Sequence, residues 1–245
     1  MYSNLKKKYG QNFLIDKNIL NKIHKLIKKD GLNIIEIGPG AGHLTDFIIK
    51  RNPIKLTLIE IDSDLIINLE QKFKKFKNIN IINSDVMKYQ LNIDNDLIIS
   101  NLPYNISSQI LVKICLFEKI PQNLILMFQK EFAARLLENK LNSLNALINC
   151  FYDLKLEFHI SKNCYRPIPK VDSSVISFVK KKKFLINKNE ITKYIEFKRF
   201  LFSHKRKSLK NLLKNTKLSN KFDLSKRVED LSLVNLIKIF REIKI

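Results

Sequence analysis

The sequence predicts an α/β fold, a parallel sheet covered by helices on both faces, followed by a small all-α domain. Short apolar, β-branched runs alternate with helical patterns from residue 33 to residue 139, which is typical of a doubly wound sheet. Three of the five glycines lie within five residues, directly after the first run. From residue 181 onward the chain contains neither glycine nor proline. We therefore expect a sheet domain over residues 1–180 and a helical domain over residues 181–245.

The elements of the sheet domain follow from the spacing of apolar residues. Asp16 is a suitable N-cap for a first helix, whose apolar residues recur at spacings of three and four until Gly31 ends it. Five continuous runs predict buried parallel strands: Asn33–Ile37, Lys55–Ile61, Asn80–Ile82, Asp96–Ser100 and Asn123–Phe128. Four helical patterns lie between or after them: Leu44–Lys50, Asp64–Phe76, Ser107–Lys119 and Lys130–Asn139.

The pattern changes over residues 145–180. Ala146–Leu156 and Val171–Val179 are predicted strands on either side of a proline-containing loop, Cys164–Pro169. The alternate residues of the second strand form two faces, one of Val171, Ser173, Val175 and Ser177 and the other of Asp172, Ser174, Ile176 and Phe178. We therefore expect it to form an antiparallel edge of the sheet. The basic run Lys180–Lys183 is the predicted connection to the helical domain.

The charge balance favours a polyanionic partner. There are 45 Lys and Arg residues against 23 Asp and Glu, a formal net charge of +22. Phosphates neutralised by these side chains release condensed counterions, and this entropy drives binding to nucleic acid. The chain is also rich in Lys, Asn and Ile throughout, so part of the charge fits a bias of composition. Charge alone does not distinguish RNA from DNA.

Several classes of protein are excluded by composition. No apolar run approaches the ~18 residues of a membrane span, and no secretory signal follows the basic start. Three widely spaced cysteines do not form a disulfide framework, and four scattered histidines predict no metal site. We expect no membrane association, no metal and a reducing, cytoplasmic compartment.

The glycine cluster predicts a site for S-adenosylmethionine. Gly38, Gly40 and Gly42 follow Glu36 at the point where the first strand turns into a helix, the usual position of a nucleotide site. A dinucleotide fingerprint requires a third glycine one residue later, where this chain has His43. The G-x-G-x-G form after an acidic residue is typical of sites for an adenosyl cofactor without a pyrophosphate.

The next two strands end in residues that suit the rest of an adenosyl group. Glu60 lies about 20 residues beyond the loop, where a carboxylate accepts the ribose hydroxyls; Asp62 is the second choice. After the third strand, Asp85 is placed to accept from the adenine amine, with Val86 and Met87 against the ring. The alternative is a glycine-rich turn with two acidic helix caps.

The stretch Asn101-Leu102-Pro103-Tyr104 at the end of the fourth strand predicts methylation of a nucleobase amine. Such an amine is a poor nucleophile, because its lone pair is delocalised into the ring. Acceptors such as the Asn101 side chain and the Leu102 carbonyl orient the nitrogen. Pro103 makes the turn rigid, and Tyr104 offers a ring on which an extruded base stacks. Taken by itself, the stretch better fits an ordinary turn with a half-buried tyrosine, and its position after a predicted cofactor site favours the catalytic interpretation.

Five segments together resemble the small-subunit ribosomal RNA adenine dimethyltransferase family, and the likeness covers most of the chain: Tyr9–Leu14, Glu36–Thr45, Asn101–Ser107, Gln129–Glu131 and Pro169–Ser173. Tyr165 stands where the family usually has Phe, and Ile168 where it usually has Pro. The basic segment Phe202–Asn211 resembles the family's helical domain.

This resemblance implies an activity and further site residues. Gln11, Asn12 and Leu14 would close over the cofactor, and Tyr165 would stack on the base opposite Tyr104. The implied reaction is N6,N6-dimethylation of two adjacent adenines, in a hairpin loop near the 3′ end of small-subunit rRNA. The implied substrate is an immature 30S-type subunit during its biogenesis, and the enzyme is expected to be a monomer.

Two alternatives remain at the level of sequence. Large-subunit rRNA methyltransferases linked to macrolide resistance share these motifs, although they typically have Ile at the position of Leu102, and the loop ending in Ser173 also argues against them. A non-catalytic RNA-binding or assembly factor could keep the same fold. The intact glycine loop, Glu60, Asp85 and Asn101 argue against that loss of function.

Overall fold

The computed structural model describes residues 12–90, 96–214, 216 and 222–243. The strands are β1 (Phe13–Leu14), β2 (Asn33–Ile37), β3 (Lys55–Glu60), β4 (Ile79–Asn83), β5 (Leu97–Asn101), β6 (Asn123–Gln129), β7 (Tyr152–Ile160), β8 (Tyr165–Arg166) and β9 (Ser173–Lys180). The α-helices are α1 (Lys17–Leu26), α2 (Thr45–Ile48), α3 (Ser63–Phe73), α4 (Ser107–Leu116), α5 (Lys130–Leu137), α6 (Asn145–Ile148), α7 (Ile191–Ser203), α8 (Leu209–Leu212) and α9 (Leu233–Glu242).

The central sheet has seven strands in the order β4-β3-β2-β5-β6-β9-β7. The five predicted strands β2 to β6 are parallel to one another. The next strand in the sheet, β9, is antiparallel to β6. Side chains on β2, β3, β5 and β6 are almost continuously buried, as expected of a parallel sheet with helices on both faces. The predicted parallel sheet is confirmed.

The predicted place of β9 at the edge of the sheet is wrong. It lies between β6 and β7, so β7 forms the edge. Ser173 to Ile176 are all buried rather than alternately exposed, because an interior strand is covered on both faces. The small Ser side chains in this strand fit an interior position as well as an edge.

The predicted strand Ala146–Leu156 is also partly wrong. Its first residues belong to the helical turn α6, and the strand begins only at Tyr152. The side-chain oxygen of Asn142 accepts from the backbone N–H groups of Leu144 and Asn145, at 3.0 and 2.9 Å, and so caps the turn. A short continuous apolar run does not distinguish helix from strand by periodicity.

The first helix begins as predicted and ends earlier. The Asp16 carboxylate accepts from the N–H groups of Asn18 and Ile19, at 2.9 and 3.0 Å, which confirms it as the N-cap. The helix ends at Leu26, and Gly31, with φ +66°, lies in the turn before β2.

Contacts divide the chain into two units. The first comprises Met1–Ala133 and Leu154–Lys180, and the second Ala134–Asp153 and Lys181–Ile245. The second unit thus takes in a segment that the sequence assigned to the first domain. Within it, the Tyr194 and Phe240 rings lie 5.2 Å apart. No helix among the described residues is long and apolar enough to cross a bilayer.

Candidate functional site

A pocket opens at the carboxyl ends of strands β2 to β5, the edge where an open α/β sheet binds its ligands. It is lined by Asn12, Phe13, Ile37, Gly38, Gly40, Ile59, Glu60, Ile61, Leu65, Ser84, Asp85, Val86, Asn101, Leu102, Pro103, Tyr104 and Ile106. The enclosed part measures about 90 Å³, below the ~300–1,000 Å³ of most small-molecule sites. A larger ligand would therefore extend into the open mouth of the pocket.

The glycine loop forms one wall of the pocket. Gly38, Gly40 and Gly42 have φ of +65°, +58° and +72°, a region that side-chain-bearing residues avoid. A Cβ at Gly40 would lie 2.5 Å from the Phe13 ring, and one at Gly42 would lie 2.8 Å from Phe73. Gly38 and Gly40 line the pocket, whereas Gly42 packs against the helix behind the loop.

Lys72 holds this loop from its outer side. Its ammonium group donates to the carbonyls of Ala41 and Gly42, at 3.2 and 2.9 Å, and pairs with Asp46 at 2.7 Å. Three acceptors around one cation fix the backbone just beyond the pocket-lining glycines. No signal in the sequence connects Lys72 with residues about 30 positions earlier.

Glu60 lies at the end of β3 and is buried at the base of the pocket. Its Oε1 accepts from the N–H groups of Ile61 and Asp62, and its Oε2 from that of Gly40 at 3.1 Å. Burial raises its pKa, while these three hydrogen bonds lower it. A carboxylate has about four acceptor positions, so one position on Oε2 is left for a ligand hydroxyl.

The second-choice acid, Asp62, has a structural role. Its carboxylate accepts from the backbone N–H of Asp64 as the N-cap of α3, and it does not line the pocket. Asp62 therefore fits the alternative interpretation from the sequence, in which it is an acidic helix cap.

Asp85 and Val86 line the pocket next to Ser84. Oδ1 of Asp85 accepts from the Met87 N–H at 2.8 Å. Met87 was predicted to contact a ligand ring, but it does not line the pocket. It belongs to the turn in which its N–H donates to Asp85.

Asn101 lies at the end of β5, and its two side-chain amide atoms differ in whether they have a hydrogen-bond partner. Nδ2 donates to the backbone carbonyl of Asn12 at 2.8 Å. Oδ1 is buried and has no hydrogen-bond partner among the described residues. A buried acceptor without a partner costs about 1–3 kcal/mol, so the pocket offers an acceptor to a ligand N–H at this point.

Leu102 and Tyr104 form the rest of this wall. Leu102 is 2% exposed and lines the pocket. The Tyr104 hydroxyl lies 2.7 Å from that of Ser173, which is buried. This hydrogen bond holds the hydroxyl end of the Tyr104 side chain in place, and burial raises the pKa of its hydroxyl.

Besides Asp62 and Met87, four predicted site residues lie outside the pocket lining, and Gln11 lies outside the described residues. Leu14 and Tyr165 are paired in the small sheet β1–β8 and are buried in the core. Tyr165 therefore presents no surface to a base in this structure. Glu36 is buried and accepts from the Thr45 hydroxyl at 2.6 Å, and burial raises its pKa to about 8. Gly42 is the fourth.

Phe13 is the lining residue that sequence reasoning missed most clearly. It neighbours Asn12 and Leu14, both predicted, but the alternation of β1 directs Phe13 to the pocket and Leu14 to the core. Ile37, Ile59 and Ile61 are also lining residues that read only as strand residues in the sequence.

Two further features of the described residues bear on a competing site. A cavity of about 510 Å³ lies at the amino ends of the strands, near Leu32, Leu97 and Glu157, and no predicted site residue lines it. Among the described residues, no group of three or more His, Cys, Asp or Glu side chains could hold a metal ion.

The chain is similar to known proteins over almost its whole length. The family model described as ribosomal RNA adenine dimethylase matches residues 2–243. The ribosomal RNA small subunit methyltransferase A of Mycoplasmopsis pulmonis is 43% identical over 216 residues, which cover 85% of this chain and 83% of that protein. Its counterpart in Mycoplasma capricolum is 39% identical over 244 residues, covering 94% and 89%.

Solved structures show the same architecture. A dimethyladenosine transferase from Plasmodium falciparum matches with a TM-score of 0.79 at 25% identity, covering 93% of this chain and 95% of that one. The 23S rRNA methyltransferase ErmE matches with a TM-score of 0.77 at 20% identity, covering 95% and 100%; at that identity the likeness concerns the fold alone. The predicted Rossmann-like methyltransferase fold with a helical C-terminal part is confirmed.

Proposed function

The chain belongs to the ribosomal RNA adenine dimethylase family, and we propose that its pocket dimethylates N6 of two adjacent adenines near the 3′ end of small-subunit rRNA. The chain is an S-adenosylmethionine-dependent rRNA adenine N6,N6-dimethyltransferase. Its substrate is a hairpin loop in an immature 30S-type subunit, and it acts as a monomer in the cytoplasm.

The unpartnered Oδ1 of Asn101 carries this proposal. Donation from Nδ2 to the Asn12 carbonyl fixes which end of the amide is the oxygen, since the opposite rotamer would place two carbonyl oxygens together. The remaining oxygen is buried in the pocket wall without a partner among the described residues. An adenine amine has an N–H group to donate there.

The chemistry needed from the protein is orientation. An amine hydrogen donated to Asn101 Oδ1, and a second donated to the Leu102 carbonyl, turn the nitrogen lone pair out of the plane of the base. The Asn101 amide is neutral and a weak base, so it aligns the amine without removing its proton, which leaves to water after the transfer. Tyr104, held by Ser173, supplies the ring on which the extruded base stacks.

The other wall suits the methyl donor. Gly38 and Gly40 allow the backbone to approach a ligand closely, Glu60 retains one acceptor position for a ribose hydroxyl, and Asp85 lines the pocket beyond it. Bound S-adenosylmethionine supplies a methyl carbon on a sulfonium leaving group, so alignment accounts for most of the catalysis. Asn12, Val86 and Asn101 complete the proposed cofactor contacts. Of the remaining predicted contacts, Leu14, Glu36 and Gly42 would support the loop rather than touch the ligand, and Gln11 stays a proposed cofactor contact.

The helical domain, residues 181–245, is proposed to contact RNA phosphates. In the second unit, the basic turn from His204 to Lys207 after α7 is exposed along its whole length. Lys182 and Lys183 are exposed as well, whereas Lys181 pairs with Asp153. Exposed cations of this kind favour a polyanion by counterion release.

The experiment is radiolabelled methyl transfer to four substrates: unmethylated small subunits, naked small-subunit rRNA, large subunits and naked large-subunit rRNA. Wild type is compared with Asn101→Ala and with Asn68→Ala, an exposed asparagine on α3. We expect transfer to small subunits only, retained by Asn68→Ala and lost by Asn101→Ala. Equal incorporation by wild type and Asn101→Ala would refute the catalytic assignment. Naked small-subunit rRNA as good as the subunit would refute the assembly-linked substrate.

A further inference from the structure

Lys113 lies on α4 and contacts the loop that carries Asp85 and Val86. Its ammonium group donates to the backbone carbonyls of Met87 and Tyr89, both at 2.7 Å. The side chain is half-buried, and nothing in the sequence motifs singles it out. These two contacts join the helix that follows the Asn101–Tyr104 stretch to the loop that follows β4.

The loop itself is a tight turn built on Asp85. The Asp85 carbonyl accepts from the N–H groups of Lys88 and Tyr89, at 2.9 and 3.0 Å. Its Oδ1 accepts from the Met87 N–H at 2.8 Å. The carbonyls of Met87 and Tyr89 are bound by Lys113, so this side chain closes the turn that presents the other carboxylate oxygen of Asp85.

Electrostatics support the same arrangement. Burial lowers the pKa of Lys113, and the nearby charge of Asp85 opposes that shift. A partly desolvated ammonium group with two carbonyl acceptors makes strong, short hydrogen bonds. Removing it would leave two carbonyls without that donor and would change the field at the carboxylate.

The same helix is anchored at its start to the methyl-acceptor wall. The Ser107 hydroxyl donates to the Pro103 carbonyl at 3.0 Å. Six residues at 1.5 Å each place Lys113 about 9 Å further along the helix axis. The helix α4 is therefore bound at both points, once to each wall of the pocket.

We propose that Lys113 is a positioning residue that holds Asp85 where it accepts from the 6-amino group of the cofactor's adenine. In this role it determines the preference for an adenosyl over an inosyl ligand. The inference rests on the proposed function, because it takes Asp85 to contact the adenine. A purely structural role for Lys113 predicts instead that all ligands weaken together.

The test is calorimetric binding of S-adenosylhomocysteine and S-inosylhomocysteine, which carries a 6-oxo group in place of the amine. Four proteins are compared: wild type, Lys113→Met, Asp85→Ala and Lys75→Met, whose lysine is exposed after α3. We expect wild type and Lys75→Met to prefer the adenosyl ligand by about tenfold or more, the value of one hydrogen bond to a charged group. The preference should fall at least about fivefold in Lys113→Met and disappear in Asp85→Ala.

The outcomes distinguish a failure of the role of Lys113 from a failure of the contact between Asp85 and adenine. Loss of preference in Asp85→Ala but not in Lys113→Met overturns the role of Lys113 alone. An unchanged preference in Asp85→Ala overturns the contact between Asp85 and adenine, and with it this inference, while methyl transfer would still test the reaction. Equal weakening of both ligands in Lys113→Met means a structural role only. If Lys113→Met fails to fold, Lys113→Arg and Lys113→Gln give the same comparison, with near-wild-type and intermediate preferences expected.

Discussion

The two walls of the pocket are built in different ways. The wall of Gly38, Gly40 and Glu60 relies on backbone conformation and on a buried carboxylate that already accepts three N–H groups. The wall of Asn101 and Tyr104 relies on one amide oxygen that has no partner among the described residues and on one ring held by a hydroxyl. The polar groups of the first wall are hydrogen-bonded within the protein, whereas the second wall has an acceptor available to a ligand.

Because the walls differ in this way, we expect cofactor binding and methyl transfer to depend on different residues. Changes to the first wall should alter cofactor affinity and the stability of the loop. Changes to the second wall should alter the rate of methyl transfer much more than the cofactor affinity, to which Asn101 contributes one proposed contact.

The largest expected effect is the loss of turnover in Asn101→Ala. Removing the amide oxygen removes the proposed acceptor for the adenine amine, and we expect kcat to fall about 100-fold or more. The affinity for S-adenosylhomocysteine should change by less than about tenfold, which corresponds to 1.4 kcal/mol. Single-turnover kinetics and calorimetry measure the two quantities. A loss of affinity as large as the loss of rate would contradict the separation of the walls.

The next effect concerns the first wall, in Gly40→Ala. A side chain at φ +58° is strained by about 1–2 kcal/mol, and its Cβ would lie 2.5 Å from the Phe13 ring. We expect affinity for S-adenosylhomocysteine to fall about tenfold. The matched control is Gly31→Ala, which has the same strain at φ +66° but nothing within 4 Å. The control should lose stability without losing affinity; equal affinities for the two variants would refute a role of the Phe13 contact.

The third prediction concerns Glu36, which lies behind the glycine loop and makes the stability of the fold depend on pH. Burial raises the pKa of Glu36 to about 8, so its carboxyl group keeps a proton in the folded protein that the unfolded chain releases. The stability contributed by this proton is complete below the unfolded pKa of about 4.5 and is lost as the pH rises towards 8. Wild type should therefore lose stability relative to Glu36→Gln between pH 5 and pH 8, by at most about 1.4 kcal/mol per pH unit.

Urea unfolding of both proteins at four pH values in that window measures this difference. A difference in the free energy of unfolding that stays constant with pH would show that Glu36 is ionised in the fold.

The smallest expected effect is that of Ser173→Ala on the second wall. The Tyr104 ring remains, but its hydroxyl loses the partner at 2.7 Å. A neutral hydrogen bond contributes about 1 kcal/mol, so we expect kcat to fall by about threefold to fivefold, with cofactor affinity unchanged. Ser177→Ala, on the same strand but outside the pocket lining, is the control. A decrease of the same size in the control would place the effect in β9 rather than in Tyr104.

Much of the fold could be predicted because its signals are local. Continuous apolar runs separated by helical patterns indicated β2 to β6, and the three close glycines indicated the strand-to-helix turn. The position of β9 could not be predicted in the same way. Its neighbours, β6 and β7, are decided by pairing across the chain, and the alternation in its sequence fits an edge as well as an interior strand.

In the candidate site, too, the residues with a local sequence signal could be predicted and the orientation of the others could not. Gly38, Glu60, Asp85 and Asn101 all follow directly after predicted strands, and parallel strands bring their carboxyl ends to one edge; the structure places all four in the pocket. Tyr165, Leu14 and Glu36 belong to the same motifs but are buried behind it. A motif records which residues are neighbours in the chain and not which way each side chain points.

The parallel sheet, the glycine turn and the residues at the strand ends could be predicted from local sequence, because each follows from periodicity or from backbone limits within a few residues. The interior position of β9 and the burial of Tyr165 are known only from the folded structure. The same is true of Lys72 and Lys113, which bind loops about 30 and 25 positions away. The physical reason is the same in each case. These features depend on contacts between segments that lie far apart in the chain. The local sequence around a side chain does not indicate which distant residue it will contact.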